Sequence, residues 1–273
     1  MAEDIFRIDG QVVVITGGAG VLCSAMVADL CRRGAKLAIL DCNADAAQAC
    51  AVTASTQGGT ASGVCCDALD RGSLEQAHAA VAEAFGPADV LINGAGGNRR
   101  EATTSPDFSF FDLPAEALRA VFDLNFLSAV LATQVFAADM AAGRRGVIVN
   151  IASMNAFRPL TRIPAYSAAK AALVNFTQWL AVHMCQTYSP RIRVNALAPG
   201  FFLTEQNRFL LTDPESGSLT ARGRSIMDHT PMQRFGSADD LLGALLWLIS
   251  DAARFVTGVV VPIDGGFNAY SGV

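Results

Sequence analysis

Residues Gln11 to Gly20 read Q-V-V-V-I-T-G-G-A-G. Gln11 to Thr16 is a continuous apolar, β-branched run, which fits a strand buried on both faces. Glycines follow at Gly17, Gly18 and Gly20, and a helical pattern runs from about Val21 to Arg33. Strand, glycine turn and helix form an arrangement in which missing side chains let backbone N–H groups and a helix N-terminus approach a pyrophosphate. Gly17, Gly18, Gly20, Val21 and Leu22 are the candidate contacts.

The next units repeat the pattern. Gly34 closes the helix, and Lys36 to Leu40 forms a second apolar strand ending in Asp41, about 20 residues beyond the glycines. An acid there can accept both adenosine ribose hydroxyls and repels a 2′-phosphate, so NAD is favoured over NADP. A helix from about Ala44 to Thr56, a strand near Ala61 to Cys66 ending in Asp67 beside Ala68, and a helix from Ser73 to Phe85 come next. Val90 to Ile92 is a strand leading into a second glycine cluster, Asn93, Gly94, Ala95, Gly96 and Gly97. A helix is expected from Pro114 through Met140, with Asn125 inside it as a satisfied core amide or a holder of water near the site. Ile192 to Leu197 is a strand ending in Ala198-Pro199-Gly200, and Val259 to Val261 the last one. This alternation predicts one domain over 1–273, an α/β doubly wound parallel sheet with helices on both faces and ligands at the carboxyl ends of the strands. Phe201 to Gly236 is irregular at that end and reads as a substrate lid, or as a helical surface excursion without a role.

Composition narrows the class. At 273 residues, 52% hydrophobic and 16% charged, the chain can bury a large core; its net charge of -5, without a basic block, gives no footprint for nucleic acid or an anionic membrane. The acidic start M-A-E-D is unlike a signal peptide, and no apolar run reaches the ~18 residues of a membrane span, so a cytoplasmic location is expected. Seven scattered cysteines, without C-x-x-C spacing, read as buried free thiols.

The chemistry concentrates between Asn150 and Trp179. Ser153 follows the apolar run Val147 to Val149; Tyr166 opens a helix-like segment, and Lys170 lies one turn further on the same face. A phenol with its ordinary pKa of ~10 is a poor proton carrier at neutral pH, and a nearby ammonium lowers that pKa. Ser153 would bind the oxygen being protonated.

These pieces resemble the short-chain dehydrogenase/reductase family along essentially the whole chain. Thr16-Gly17, Asp67, N-G-A-G at Asn93 to Gly96, Asn125, Ser153, Tyr166-x-x-x-Lys170, Asn195-x-x-x-Pro199-Gly200 and Asp264-Gly265-Gly266 carry the likeness. The family turn T-G-x-x-x-G-x-G is altered, with Val21 and Cys23 where two glycines are expected. The resemblance implies a Rossmann fold and a nicotinamide cofactor held also by Pro199, Gly200, Phe202 and Thr204. It makes Tyr166 the acid and base, with Lys170 on the nicotinamide ribose, Ser153 on the carbonyl and Asn125 on a water leading to Lys170. No metal is required, and a homotetramer is implied, with the long helices around Asn125 and Lys170 forming one interface.

A narrower likeness rests on T-G-G-A-G-V-L-C, N-G-A-G-G-N, S-M-N-A-F-R-P-L-T-R-I-P-A-Y-S-A-A-K, A-P-G-F-F-L-T-E-Q-N-R and D-G-G-F-N-A-Y-S-G-V. These look like the branch assigned to D-mannonate oxidoreductases, or fructuronate reductases, which implies NAD(H)-linked interconversion of D-fructuronate and D-mannonate. Arg99, Arg100, Arg158, Arg162 and Arg208 lie in segments expected near the open end of the sheet, and arginine suits a carboxylate. Asn155, Gln206 and Asn207 are candidates for sugar hydroxyls. Reduction of another polyol, ketose or keto acid, or a dinucleotide-binding scaffold without turnover, are the alternatives the same residues leave open.

Overall fold

The computed structural model of the chain describes residues 4–203, 208, 211–213 and 216–272. Seven parallel strands form one sheet in the order β3-β2-β1-β4-β5-β6-β7. They are β1 Val12–Thr16, β2 Lys36–Asp41, β3 Thr60–Cys65, β4 Val90–Asn93, β5 Gly146–Ile151, β6 Ile192–Pro199 and β7 Val260–Ile263. The connecting helices are α1 Val21–Arg32, α2 Ala44–Thr56, α3 Arg71–Phe85, α4 Ala115–Phe122, α5 Ser128–Gly143, α6 Pro164–Thr187, α7 Ala221–Asp228 and α8 Leu242–Ile249. Asn43 caps α2 by accepting from Ala46 N–H, and Asp70 caps α3 by accepting from Gly72 N–H. Pro164 opens α6, where its missing N–H costs nothing.

The apolar run of β1 serves two cores. Val13 and Ile15 pack with Met26, Leu30 and Leu245 against α1 and α8, while Val12 and Val14 pack with Leu74, Phe136 and Leu180 against α3, α5 and α6. That two-sided burial is why the strand carries no polar alternation.

The chain winds outward through β1, β2 and β3, then returns to start β4 on the other side of β1, which makes the β1–β4 seam the point where strand order reverses. Thr16 and Asn93 pair there, so both glycine clusters leave adjacent strands side by side. The loops touch: a Cβ on Gly17, whose φ is +61°, would stand 2.8 Å from Ala95 Cα. Cys23, standing where the family has glycine, is buried and lies against Gly94, where a Cβ would strike its sulfur.

Three expectations are corrected. The helix from Pro114 to Met140 is interrupted by a π turn, Asp123–Leu127, between α4 and α5. Asn125 lies inside that turn and donates to the Val121 carbonyl at 2.8 Å, inserting a side chain into the helical ladder. Second, Ala115–Gly143 is apolar and long enough to cross a membrane, but half of its apolar 18-residue window is buried within the protein and its Phe136 and Met140 belong to the core. Third, all seven cysteines are free, yet Cys42 and Cys65 are exposed. Segment 201–236 is less irregular than expected, since it contains α7, begun by Thr220, whose hydroxyl accepts from Gly223 N–H.

Replacing Gly17 with alanine combines a left-handed backbone with a collision against Ala95 and is expected to destabilise the fold by about 2 kcal/mol. Urea unfolding of Gly17→Ala checks this, and an unchanged midpoint contradicts the contact.

Candidate active site

At the carboxyl end of β5, Ser153 leaves the strand in an extended conformation and caps a short 3-10 turn, its Oγ accepting from Asn155 N–H at 3.2 Å. The Asn155 side chain donates to the same oxygen at 3.3 Å. Asn155 Oδ1 accepts from Leu160 N–H at 3.0 Å and from the Ser167 hydroxyl at 3.3 Å. Asn155, expected to read sugar hydroxyls, is instead buried and committed on both ends of its amide. It fixes Ser153 to the start of α6.

Tyr166 sits in the first turn of α6, one helical turn before Lys170. The Lys170 ammonium is buried, donates to the Ile151 carbonyl at 2.8 Å and lies 5.6 Å from the centroid of the Tyr166 ring. Burial lowers its pKa from 10.5 to about 8. Burial also pushes the Tyr166 phenol above its ordinary value, and hydrogen bonding from Ser153 only partly offsets this. The expected net depression of the Tyr166 pKa by Lys170 is therefore corrected: desolvation dominates and favours the neutral phenol.

Asn125 completes the cluster. It donates to the Gly97 carbonyl at 2.6 Å and accepts from Gly97 N–H at 3.1 Å, clamping the second glycine loop. A Cβ on Gly96 would lie 2.8 Å from Asn125 Oδ1 and 3.2 Å from Lys170 Nζ, so any side chain there would crowd both groups.

Behind the site runs a buried polar chain. Asn93 donates to Thr133 Oγ1 at 3.1 Å and to Asn150 Oδ1 at 2.8 Å, and Asn150 donates to Thr177 Oγ1 at 2.8 Å. This ties β4, β5, α5 and α6 together. It also withdraws the Asn93 amide N–H groups from any cofactor, while its buried Oδ1 makes no hydrogen bond among the described residues.

The first glycine turn fits a dinucleotide. Gly20 precedes α1 without a side-chain cap, so the opening amides of the helix stay available for an anion. A Cβ on Gly18 would collide with Ile39, and one on Gly200 with Asp264, which brings backbone close at both ends of the cleft. Asp41 closes β2, with one carboxylate oxygen accepting from Ala19 N–H at 3.2 Å and the other from Asn43 N–H at 3.0 Å. Asp67 and Ala68 follow β3 beside it, and Cys66 N–H donates to the Asp41 carbonyl. The Cys23 thiol under the turn is pushed up to about 12 by burial and stays neutral. Phe202 is buried in the core against Gly236.

The arginines divide. Arg158 donates through Nε to the Asn268 carbonyl and side chain, which ties it to the C-terminal segment. Arg99 is exposed, and its carbonyl accepts from Thr103 Oγ1. Arg162 is exposed and lines a cavity of about 460 Å³ with Arg222 and His229 of the α7 region, two residues that sequence reading passed over. Their only sequence signal is a cation and an imidazole within an irregular stretch at the open end of the sheet. Thr204, Gln206 and Asn207 lie outside the described residues.

A dinucleotide cradle at the strand-order reversal, with a tyrosine, serine and buried lysine facing its far end, defines a nicotinamide-dependent oxidoreductase. The sequence profile of the short chain dehydrogenases matches residues 11–215. The chain belongs to the short-chain dehydrogenase/reductase family. It is 49% identical to the uncharacterised oxidoreductase UxuB of Bacillus subtilis, over 97% of each chain. A Haemophilus influenzae structure with bound NAD, provisionally assigned as a D-mannonate oxidoreductase, is 46% identical and superposes with a TM-score of 0.92 over 98% of each chain. A 7α-hydroxysteroid dehydrogenase in complex with NADH and a 7-oxo bile acid is 29% identical, with a TM-score of 0.85 over 97% of this chain and 98% of that one.

Because its folded pKa is lowered, Lys170 binds its proton more weakly in the fold than in the unfolded chain. The resulting destabilisation is fully present below about pH 8 and is relieved as pH rises towards 10.5, a span worth about 3 kcal/mol. Unfolding of the wild type and Lys170→Met, without dinucleotide, is expected to show the wild type gaining on the variant across that window. A constant gap contradicts the burial of this charge.

Proposed function

We propose that this protein is an NAD-dependent oxidoreductase that interconverts D-fructuronate and D-mannonate, with Tyr166 as the proton carrier. The observation that carries the reading is the meeting of Tyr166 with Ser153 and the buried Lys170 at the end of the dinucleotide cradle. The turn glycines and the opening amides of α1 hold the pyrophosphate, and Asp41 takes the adenosine ribose hydroxyls, the preference expected for NAD. Asp67 and Ala68 border the adenine end; backbone of Asn93 to Gly96 and of Pro199 and Gly200 lines the cleft towards the nicotinamide. Thr204 belongs to the same cofactor-binding proposal.

When bound, the nicotinamide supplies or accepts the hydride at the substrate carbon. Ser153 and Tyr166 hydrogen-bond the substrate oxygen, and in reduction Tyr166 gives that oxygen its proton. Burial favours the neutral phenol, so Tyr166 holds the proton that carbonyl reduction requires. In the reverse direction the Lys170 charge favours the phenolate that forms. Lys170 also binds the nicotinamide ribose, and Asn125 anchors a water that leads protons to Lys170.

The sugar-acid assignment is supported by the Haemophilus relative and by the uncommitted Arg162, while Arg99, Gln206 and Asn207 remain candidate contacts. Segment 201–236 acts as the lid. A homotetramer is part of the same reading, supported by Trp179 and Val182 of α6, more than half exposed; a monomeric mass by light scattering contradicts it.

NADH oxidation with D-fructuronate is expected to exceed that with D-tagaturonate or D-fructose by about a hundredfold in kcat/KM, and NADPH to be the poorer cofactor. Turnover of neutral ketoses alone would remove the hexuronate reading and leave the oxidoreductase standing.

A further inference from the structure

The cavity between the Leu160–Arg162 loop and α7 has an unusual charge balance. Its apolar part includes Phe201 and Phe267, packed edge to face at 5.1 Å, and its polar part is Arg162, Arg222 and His229, with no acid among the described lining residues. Other arginines nearby are engaged: Arg234 with both oxygens of Asp240, Arg224 with the Leu219 carbonyl, and Arg158 with Asn268. Neither Arg162 nor Arg222 pairs with an acid among the described residues.

Backbone geometry adds a second observation. Arg162 has a φ of 77°, a left-handed conformation that costs a non-glycine residue roughly 1–2 kcal/mol, and its carbonyl is held there by Thr104 N–H at 2.9 Å. The fold thus retains strain at the residue that brings a free guanidinium to the cavity. Across from it, Gly223 packs against the Leu211 carbonyl, which leaves no room for a side chain and fixes the start of α7 beneath Arg222. His229 Nδ1 bonds the Ser225 carbonyl at 2.7 Å and must be the donor there. Its Nε2 is left for a ligand. Asn155 joins the wall to the chemistry, holding Leu160 N–H with one end of its amide and Ser153 with the other.

We propose that this cavity is the carboxylate pocket of the enzyme, in which Arg162 from the catalytic loop and Arg222 from the lid grip the acid group of the substrate. His229 Nε2 accepts from a neighbouring hydroxyl. The proposal rests on the sugar-acid reading and deepens it by making Arg222 a specificity-determining residue. Two guanidinium forks without a counter-charge among the described residues, beside apolar walls, suit a carboxylate, because an ionised acceptor gains most where water is displaced. D-fructuronate carries its carboxylate at the end of the carbon chain remote from the hydroxymethyl ketone, so its acid and its reacting carbonyl call for separate sites.

The test compares wild type, Arg222→Met and Arg222→Lys with NADH and either D-fructuronate or D-fructose, which differs by carrying an alcohol in place of the acid. Arg222→Met is expected to raise KM for D-fructuronate about 10- to 100-fold, leave its kcat within a few-fold and leave turnover of D-fructose as in the wild type. Arg222→Lys is expected to fall between, keeping the charge and losing the fork. NADH affinity, read by fluorescence, stays constant in both. An unchanged KM in Arg222→Met, with the wild type still preferring the acid, overturns the pocket and spares the sugar-acid reading. A wild type that does not prefer D-fructuronate over D-fructose overturns that reading and the pocket with it. Loss of NADH binding in Arg222→Met assigns the residue to lid structure and also overturns the proposal.

Discussion

An ammonium held out of water beside a phenol is the constraint around which this structure is built. Among the described residues Lys170 has one acceptor, the Ile151 carbonyl, and the face of the Tyr166 ring at 5.6 Å. Desolvating a charge costs several kcal/mol, which so few contacts only partly return. Stability alone therefore gives no reason for a lysine there. The surrounding scaffold holds it: the Asn93–Asn150–Thr177 chain locks β4, β5 and α6 in register, and the π turn swings Asn125 against the second glycine loop.

The same architecture explains why the cofactor cleft and the reacting groups coincide. Strand order reverses between β1 and β4, which opens a crevice at their carboxyl ends, and the absence of a side chain at Gly17 lets the two loops meet over it. Cys23 and Val21 replace two family glycines without loss of that packing. Cys23 turns its sulfur to Gly94, whose own missing side chain makes the room, and Val21 is exposed.

Much of this was legible in sequence because it is local. Continuous apolar runs declared strands buried on both faces, glycines after them declared close backbone approach, and i, i+4 spacing placed Tyr166 above Lys170. What was hidden depends on contacts distant in the chain. The π turn arises because Asn125 reaches Gly97, 28 residues earlier. The upward push on Tyr166 comes from burial, which spacing does not encode. Asn155 and Arg158 look like free polar groups on a loop until Ser153, Leu160 and Asn268 are brought to them. Arg222 and His229 become relevant only once α7 faces the Leu160–Arg162 loop.

The account turns on Tyr166 as the proton carrier of a working enzyme, and substituting its hydroxyl tests that most directly. Tyr166→Phe should be compared with wild type for NADH oxidation by D-fructuronate, with NADH binding followed by fluorescence in the same preparations. The account predicts a fall in turnover of about a hundred- to ten-thousandfold with NADH affinity essentially unchanged. Turnover near the wild-type rate in Tyr166→Phe would contradict it.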